Sequence, residues 1–147
     1  MPQLATRALG TVEINPAENI QFPDGLFGFS DVREFALLGE RPDSPFKWLQ
    51  STARPDLAFI VIEPHLFLKE AYRPVLMRSD LEQLKVEKVE DCTIYLIVTI
   101  PRDHPEKMTA NLQGPILVNT DERIGRQVIS GDDAHVVRVS IMDQLEG

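Results

Sequence analysis

Short stretches of alternating apolar and polar residues, each closed by proline or glycine, follow one another along most of this chain. Thr11–Ile14 and Asn19–Phe22 alternate one for one, the period of a strand with one buried and one wet face. Pro23-Asp24-Gly25 then reads as a turn, because proline presets φ and glycine accepts a positive φ. Phe35–Leu38, Phe46–Gln50 and Leu57–Ile62 read as further strands, and the last, apolar on both faces, belongs at the centre of the fold. A second strongly apolar run, Thr93–Ile100, is closed by Pro101. Met108–Leu112, Ile116–Asn119 and Arg126–Ser130 follow, the last two joined as a hairpin by the polar loop Thr120–Gly125. In the tail, Val137, Val139 and Ile141 alternate with Arg138 and Ser140 as in an edge strand.

One helix start stands out. Ser79-Asp80-Leu81-Glu82 has the capping-box form, in which the serine hydroxyl and the glutamate carboxylate each take an otherwise orphan amide. A short helix is expected over 80–85 with Ser79 at its N-cap, and a further turn near Lys88. Eight or nine short strands with one helix predict a mostly β fold, a compact antiparallel barrel-like single domain over residues 1–147.

At 147 residues the chain is long enough to bury a full core without staples. Cys92 is the one cysteine, so an internal disulfide is impossible and a reducing cytoplasm fits best. Met1–Arg7 has no apolar core of signal-peptide length, and no run approaches the roughly 20 apolar residues of a membrane span. The formal charge of −8, with basic residues scattered, disfavours direct nucleic-acid binding and favours encounter with a basic partner.

Chemistry-bearing residues are few in pattern. His65, His104 and His135 lie apart, none in a spacing that lets two share a metal, so neither a metal nor another cofactor is expected. Cys92 has no neighbouring lysine or histidine to activate it and reads as a packing residue. There is no nucleophile elbow and no phosphate loop, and no pair of carboxylates is singled out, so the reading is of a protein that is not an enzyme. Phe22, Phe27 and Phe29 surround a tight turn; Phe27, between Gly25 and Gly28, is the one best placed to be exposed and to anchor a partner.

The segment Lys107-Met-Thr-Ala-Asn-Leu-Gln-Gly-Pro-Ile-Leu-Val-Asn119 puts Lys107, Thr109, Asn111 and Gln113 on alternate positions ahead of a hinge at Gly114-Pro115. With Met108, whose thioether adapts to different contacts, these residues form the expected partner-binding face. The same segment, with Phe22–Phe29, Pro45–Ser51 plus Asp56–Phe59, and Leu96–Pro101, resembles the flagellar assembly factor FliW family in order and spacing over roughly Glu13–Ile129. The tail, residues 131–147, departs from the short Tyr-, Pro- and Arg-rich ending that the resemblance implies. What it further implies is a cytoplasmic regulator, monomeric when free, that contacts neither membrane nor RNA directly. Such a protein binds flagellin and also the translational repressor CsrA, a small dimeric RNA-binding protein, which it antagonises allosterically. Two alternatives stay open: a flagellin-specific chaperone without CsrA binding, and a small-molecule-binding β-barrel.

Overall fold

The computed structural model describes residues 2–39 and 43–146. Strands β1 (Gln3–Thr6) and β2 (Gly10–Glu13) form a hairpin of their own. The remaining strands share one sheet: β3 (Ile20–Gln21), β4 (Glu34–Leu38), β5 (Phe46–Ser51), β6 (Ala58–Ile62), β7 (Thr93–Thr99), β8 (Thr109–Ala110), β9 (Ile116–Asn119), β10 (Ile124–Gln127) and β11 (Val139–Ser140). β3 to β7 pair in succession as an antiparallel meander. The sheet then closes on itself: β10 pairs with β3 on one side and β9 on the other, and β9 pairs with the first half of β7. The result is the expected mostly β barrel, of seven strands, antiparallel except for the single register Ile124↔Gln21, where β10 and β3 run parallel.

The two strongly apolar runs explain where the cores lie. Neighbouring strand residues point to opposite faces. Val61 and Tyr95 therefore fill the barrel with Phe22, Phe35, Leu49 and Ile116. Ile62 and Leu96 face outward, into a second cluster with Phe67, Val98, Leu112 and Ile141. That outer cluster is roofed by the strap running through Phe67 and Tyr72 and by the C-terminal tail. On a further side, Leu117 and Val128 are capped by Leu84 from the end of the helix α1 (Arg78–Gln83).

Three local expectations are corrected. The helix begins at Arg78, and Met77, not Ser79, occupies the N-cap position. Asp80 is the reason: its carboxylate accepts the Met77 amide at 3.2 Å and meets Arg126 Nε at 3.1 Å, and it is buried by those contacts. A cap at Ser79 would turn Asp80 away from both. Among the described residues there are two short helices instead of one, the second being α2 (Ile141–Glu146). The expected tail strand is accordingly reduced to the two residues of β11, because Ile141 turns inward to 1% exposure and starts the helix. Finally, the sequence reading placed nothing before Thr11, yet Leu4 and Thr6 alternate inward on β1.

The barrel end depends on one close approach. A methyl group on Gly125 would lie 2.5 Å from Cζ of Phe22, a ring that is wholly buried and packed edge-on against Phe35 at 5.3 Å. Gly125→Ala is therefore expected to cost about 2–3 kcal/mol by overpacking, read from urea unfolding; a loss below about 0.5 kcal/mol would mean that Phe22 can yield.

Candidate interaction surface

Leu26 and Phe29 bridge each other across a two-residue tip, with the Phe29 amide donating to the Leu26 carbonyl at 2.8 Å. Gly28 closes the tip at a φ of +83°, a value that only glycine adopts without strain. Leu26 and Phe22 point into the barrel, so Phe27 points out and is 53% exposed. Its backbone is not loose: the Phe27 amide donates to Gln127 Oε1 at 2.9 Å, and Gln127 Nε2 donates to the Gly114 carbonyl at 2.9 Å.

Gly114 is the hub that brings Phe27 to part of the expected face. A methyl on Gly114 would lie 3.2 Å from Gln127 Nε2, 3.3 Å from Asn111 Nδ2 and 3.7 Å from Phe27 Cε2. Asn111 Nδ2 and the Phe27 ring thus both border Gly114. Asn111 Oδ1 also accepts the amides of Gln113 and Gly114, each at 3.0 Å, and so holds the bend that ends the strand segment. Gln113 is exposed at the outside of that bend.

The rest of 107–113 departs from a strand with one wet face. Lys107 is exposed at the end of a single 3-10 turn over Pro105–Lys107. Met108 is half-buried against the outer core cluster. Thr109 is half-buried within β8, with Thr99 opposite it on one side and Ser140 on the other. Only Thr109 and Ala110 are strand: the Asn111 amide still donates to the Ile97 carbonyl at 3.0 Å, and the bend that Asn111 holds over Gln113 and Gly114 ends the segment. The exposed set is therefore Phe27, Lys107 and Gln113, with Asn111 partly exposed between them.

Sequence reasoning missed exposed apolar residues where the hairpin continues past Gly114. Beyond β9 and β10 the hairpin continues, with the Val128 amide donating to Pro115 at 3.0 Å and the Ser130 amide to Gln113 at 2.8 Å. Ile129 thus lies opposite Gly114, on the face it shares with Gln127, and is 62% exposed. Gly131, two residues on, abuts Val75, itself 54% exposed, and Met77 is 67% exposed nearby in sequence. The available signal was the pair Val128-Ile129, two apolar neighbours that a strand turns to opposite faces.

The histidines, separate in sequence, are not all idle. His135 Nδ1 lies 2.6 Å from Ser130 Oγ, its ring centre is 4.6 Å from that of Tyr72, and Asp132 Oδ2 is 3.7 Å from Nε2. The trio has the composition of a nucleophile, base and acid. Ser130 is nevertheless buried, its oxygen accepts the Val75 amide at 3.1 Å, and it lines neither of the two clefts of about 570 and 580 Å3 that flank Tyr72. The arrangement works as a clasp between strap and tail. The Tyr72 hydroxyl donates to the Leu112 carbonyl, and burial pushes its ionisation up, keeping it a donor. His104 is exposed beside Glu106 at 3.1 Å. Among the described residues no three His, Cys, Asp or Glu side chains converge as a metal site, and no helix is long and apolar enough to cross a membrane.

Cys92 is half-buried, and burial together with Asp91 pushes its thiol up to about 11. The thiolate is then only about one part in a thousand at pH 8. Alkylation by iodoacetamide at that pH is expected to run at least tenfold slower in the folded protein than in urea; equal rates would mean the thiol is neither buried nor suppressed. Gln127→Ala is expected to cost about 1–3 kcal/mol, since it strands the Phe27 amide and the Gly114 carbonyl. A thermal midpoint unchanged within a degree would show that the tip does not depend on this side chain.

The family model described as FliW protein matches residues 3–141. A flagellar assembly factor FliW from Leptospira biflexa is 45% identical over 141 residues, covering 96% of this chain and 92% of its own. One from Thermoanaerobacter pseudethanolicus is 38% identical over 145 residues, covering 98% and 95%. A crystal structure of the flagellar assembly factor FliW superposes with a TM-score of 0.85 at 34% identity, over 95% of this chain and 96% of that one. Agreement on sequence, fold and near-complete length places the chain in the FliW family of flagellar assembly factors.

Proposed function

We propose that this protein acts in the cytoplasm as a monomeric binding factor that holds flagellin, and that it also captures the translational repressor CsrA and antagonises it allosterically. The observation that carries the reading is Phe27: an aromatic side chain more than half exposed on a backbone fixed by Gln127, with Ile129 on the same face. Exposed, rigidly mounted aromatics are disproportionately the anchors of protein interfaces. Around it, Asn111 and Gln113 offer polar contacts, while Lys107, Met108 and Thr109 continue the same segment towards the tail.

Coupling flagellin secretion to flagellin synthesis needs no reaction and no cofactor. It needs only that occupancy by flagellin lowers the protein's availability to CsrA. A shared or overlapping patch meets that requirement. The net charge of −8 supports encounter with a basic repressor and leaves RNA and membrane surfaces outside the protein's direct contacts.

The structure alters how the patch is best probed. Asn111→Ala would also remove the acceptor for two backbone amides, so loss of binding would mix with loss of the bend. Phe27→Ala and Lys107→Glu avoid this. Phe27→Ala is expected to weaken flagellin or CsrA at least tenfold in calorimetry, with competition between the two partners observed for the parent protein. Binding of neither partner by the folded parent would end the proposal, and binding of flagellin alone would leave a flagellin chaperone. If acidic residues steer CsrA, its association rate should fall as salt rises while its dissociation rate barely changes. A salt-independent association rate would remove charge from the encounter.

A further inference from the structure

The backbone edge of residues 108–112 is not open. The Leu112 amide donates to the Val136 carbonyl at 3.0 Å, Ala110 and Thr109 pair with Val139 and Ser140, and the Ile141 amide donates to the Met108 carbonyl at 3.2 Å. The other edge of β8 is taken by β7. The tail is thus the sole cover, among the described residues, of the outer edge of the segment whose polar alternation marks it as a candidate partner face.

We propose that the tail, residues 131–146, is a resident strand that a protein partner displaces, and that the edge of 108–112 then accepts an extended segment of that partner by strand addition. The proposal rests on the reading of the protein as a binding factor and names how one of its partners is held.

Three features of the tail favour exchange. Its fit is imperfect: from Leu112 to Ala110 the edge advances two residues while the tail advances three, from Val136 to Val139. Val137, 50% exposed, and the exposed Arg138 are pushed out of the ladder. An incoming strand of unbroken register would pair where the tail bulges. The tail's own helix, α2, has six residues, too few to persist without packing, and Leu145 on it is 59% exposed. The upstream attachment is a polar clasp, His135 against Ser130 and Tyr72, not a buried apolar joint.

The same contacts define the occupant. Val139 packs partly, and Ile141 fully, against the outer cluster of Leu96, Ala110 and Leu112. These sockets lie two residues apart, the spacing of one strand face. The partner segment is therefore extended, with apolar side chains at i and i+2. A polar strand would form the ladder yet leave the Ile141 socket empty, which is a source of selectivity.

The test locks the tail in place. Thr109 and Ser140 face each other in register, so Thr109→Cys with Ser140→Cys, in a Cys92→Ala background, can be joined by a disulfide. Calorimetry with flagellin and with CsrA is then run on the full chain, oxidised and reduced. The expected result is at least tenfold weaker binding of one partner by the oxidised form, restored by reductant. Equal affinity in both forms would overturn tail exchange while leaving the binding-factor reading intact; binding of neither partner by the reduced form and the parent would overturn both. Hydrogen exchange on the unmodified parent gives an independent arm. When that partner is added, the Leu112 amide should stay protected by the new strand while the Ile141 amide loses protection. Continued protection of Ile141 would overturn the proposal.

Discussion

The fold turns on how β7 divides its hydrogen bonds. Thr93–Tyr95 pair with Val118–Ile116 of β9 and close the barrel, while Val98 and Thr99 pair with β8 instead. A strand that serves two neighbours on one side cannot be covered by either alone. Because β7 and β6 are apolar on both faces, closure also creates an outward apolar surface at Ile62, Leu96 and Val98. That surface demands a roof, and the strap through Phe67 and Tyr72 and the tail through Ile141 supply it. Covering one fully buried isoleucine is worth about 1.5–3 kcal/mol, comparable to a few net hydrogen bonds. The roof is stable enough to form and weak enough to be local.

How much of this was legible in the sequence varies with the range of the contacts. β4 to β7 and β9 were readable because their apolar runs are bounded by proline, glycine or polar loops, so periodicity and punctuation agree; β10 begins two residues before the expected Arg126, since Ile124 and Gly125 pair with Asn119 and Val118 where a loop was expected. The barrel followed from the strand count. The N-cap at Met77 was not readable, because Asp80 is held by Arg126, 46 residues away. The tail misled because Val137, Val139 and Ile141 do alternate, but burial of Ile141 against β6 and β7 overrides local preference. β1 was missed since four residues before a turn carry too little periodicity to distinguish them from a frayed terminus.

The candidate surface shows the same division. Phe27 was visible because flanking glycines mark the tip of a turn, a local signal. Gln127 and Ile129 were not, since the bond from the Phe27 amide to Gln127 spans 100 residues. Asn111 was read as a polar group offered to a partner; its Oδ1 in fact serves the backbone, and its Nδ2 borders Gly114, as the Phe27 ring does. A polar residue in a periodic pattern thus leaves undecided whether its atoms face a ligand or the chain itself.

Residues 107–114 accordingly carry two different kinds of contact within one short segment. At the Gly114 end, Phe27, Gln127 and Asn111 interlock through hydrogen bonds, so the surface is preformed and a partner there loses little to ordering. At the Met108 end, the edge is occupied by the chain's own tail, so a partner must first compete with it. Two ligands using opposite ends would still exclude each other if either extended past Asn111, because only Thr109 and Ala110 lie between Met108 and it. Mutual exclusion then follows from crowding on a single strand segment, and the barrel beneath can stay rigid throughout. On the proposal that a partner strand replaces the tail, any change that tightens the tail's ladder would raise the threshold for the edge-binding ligand and leave the preformed end untouched.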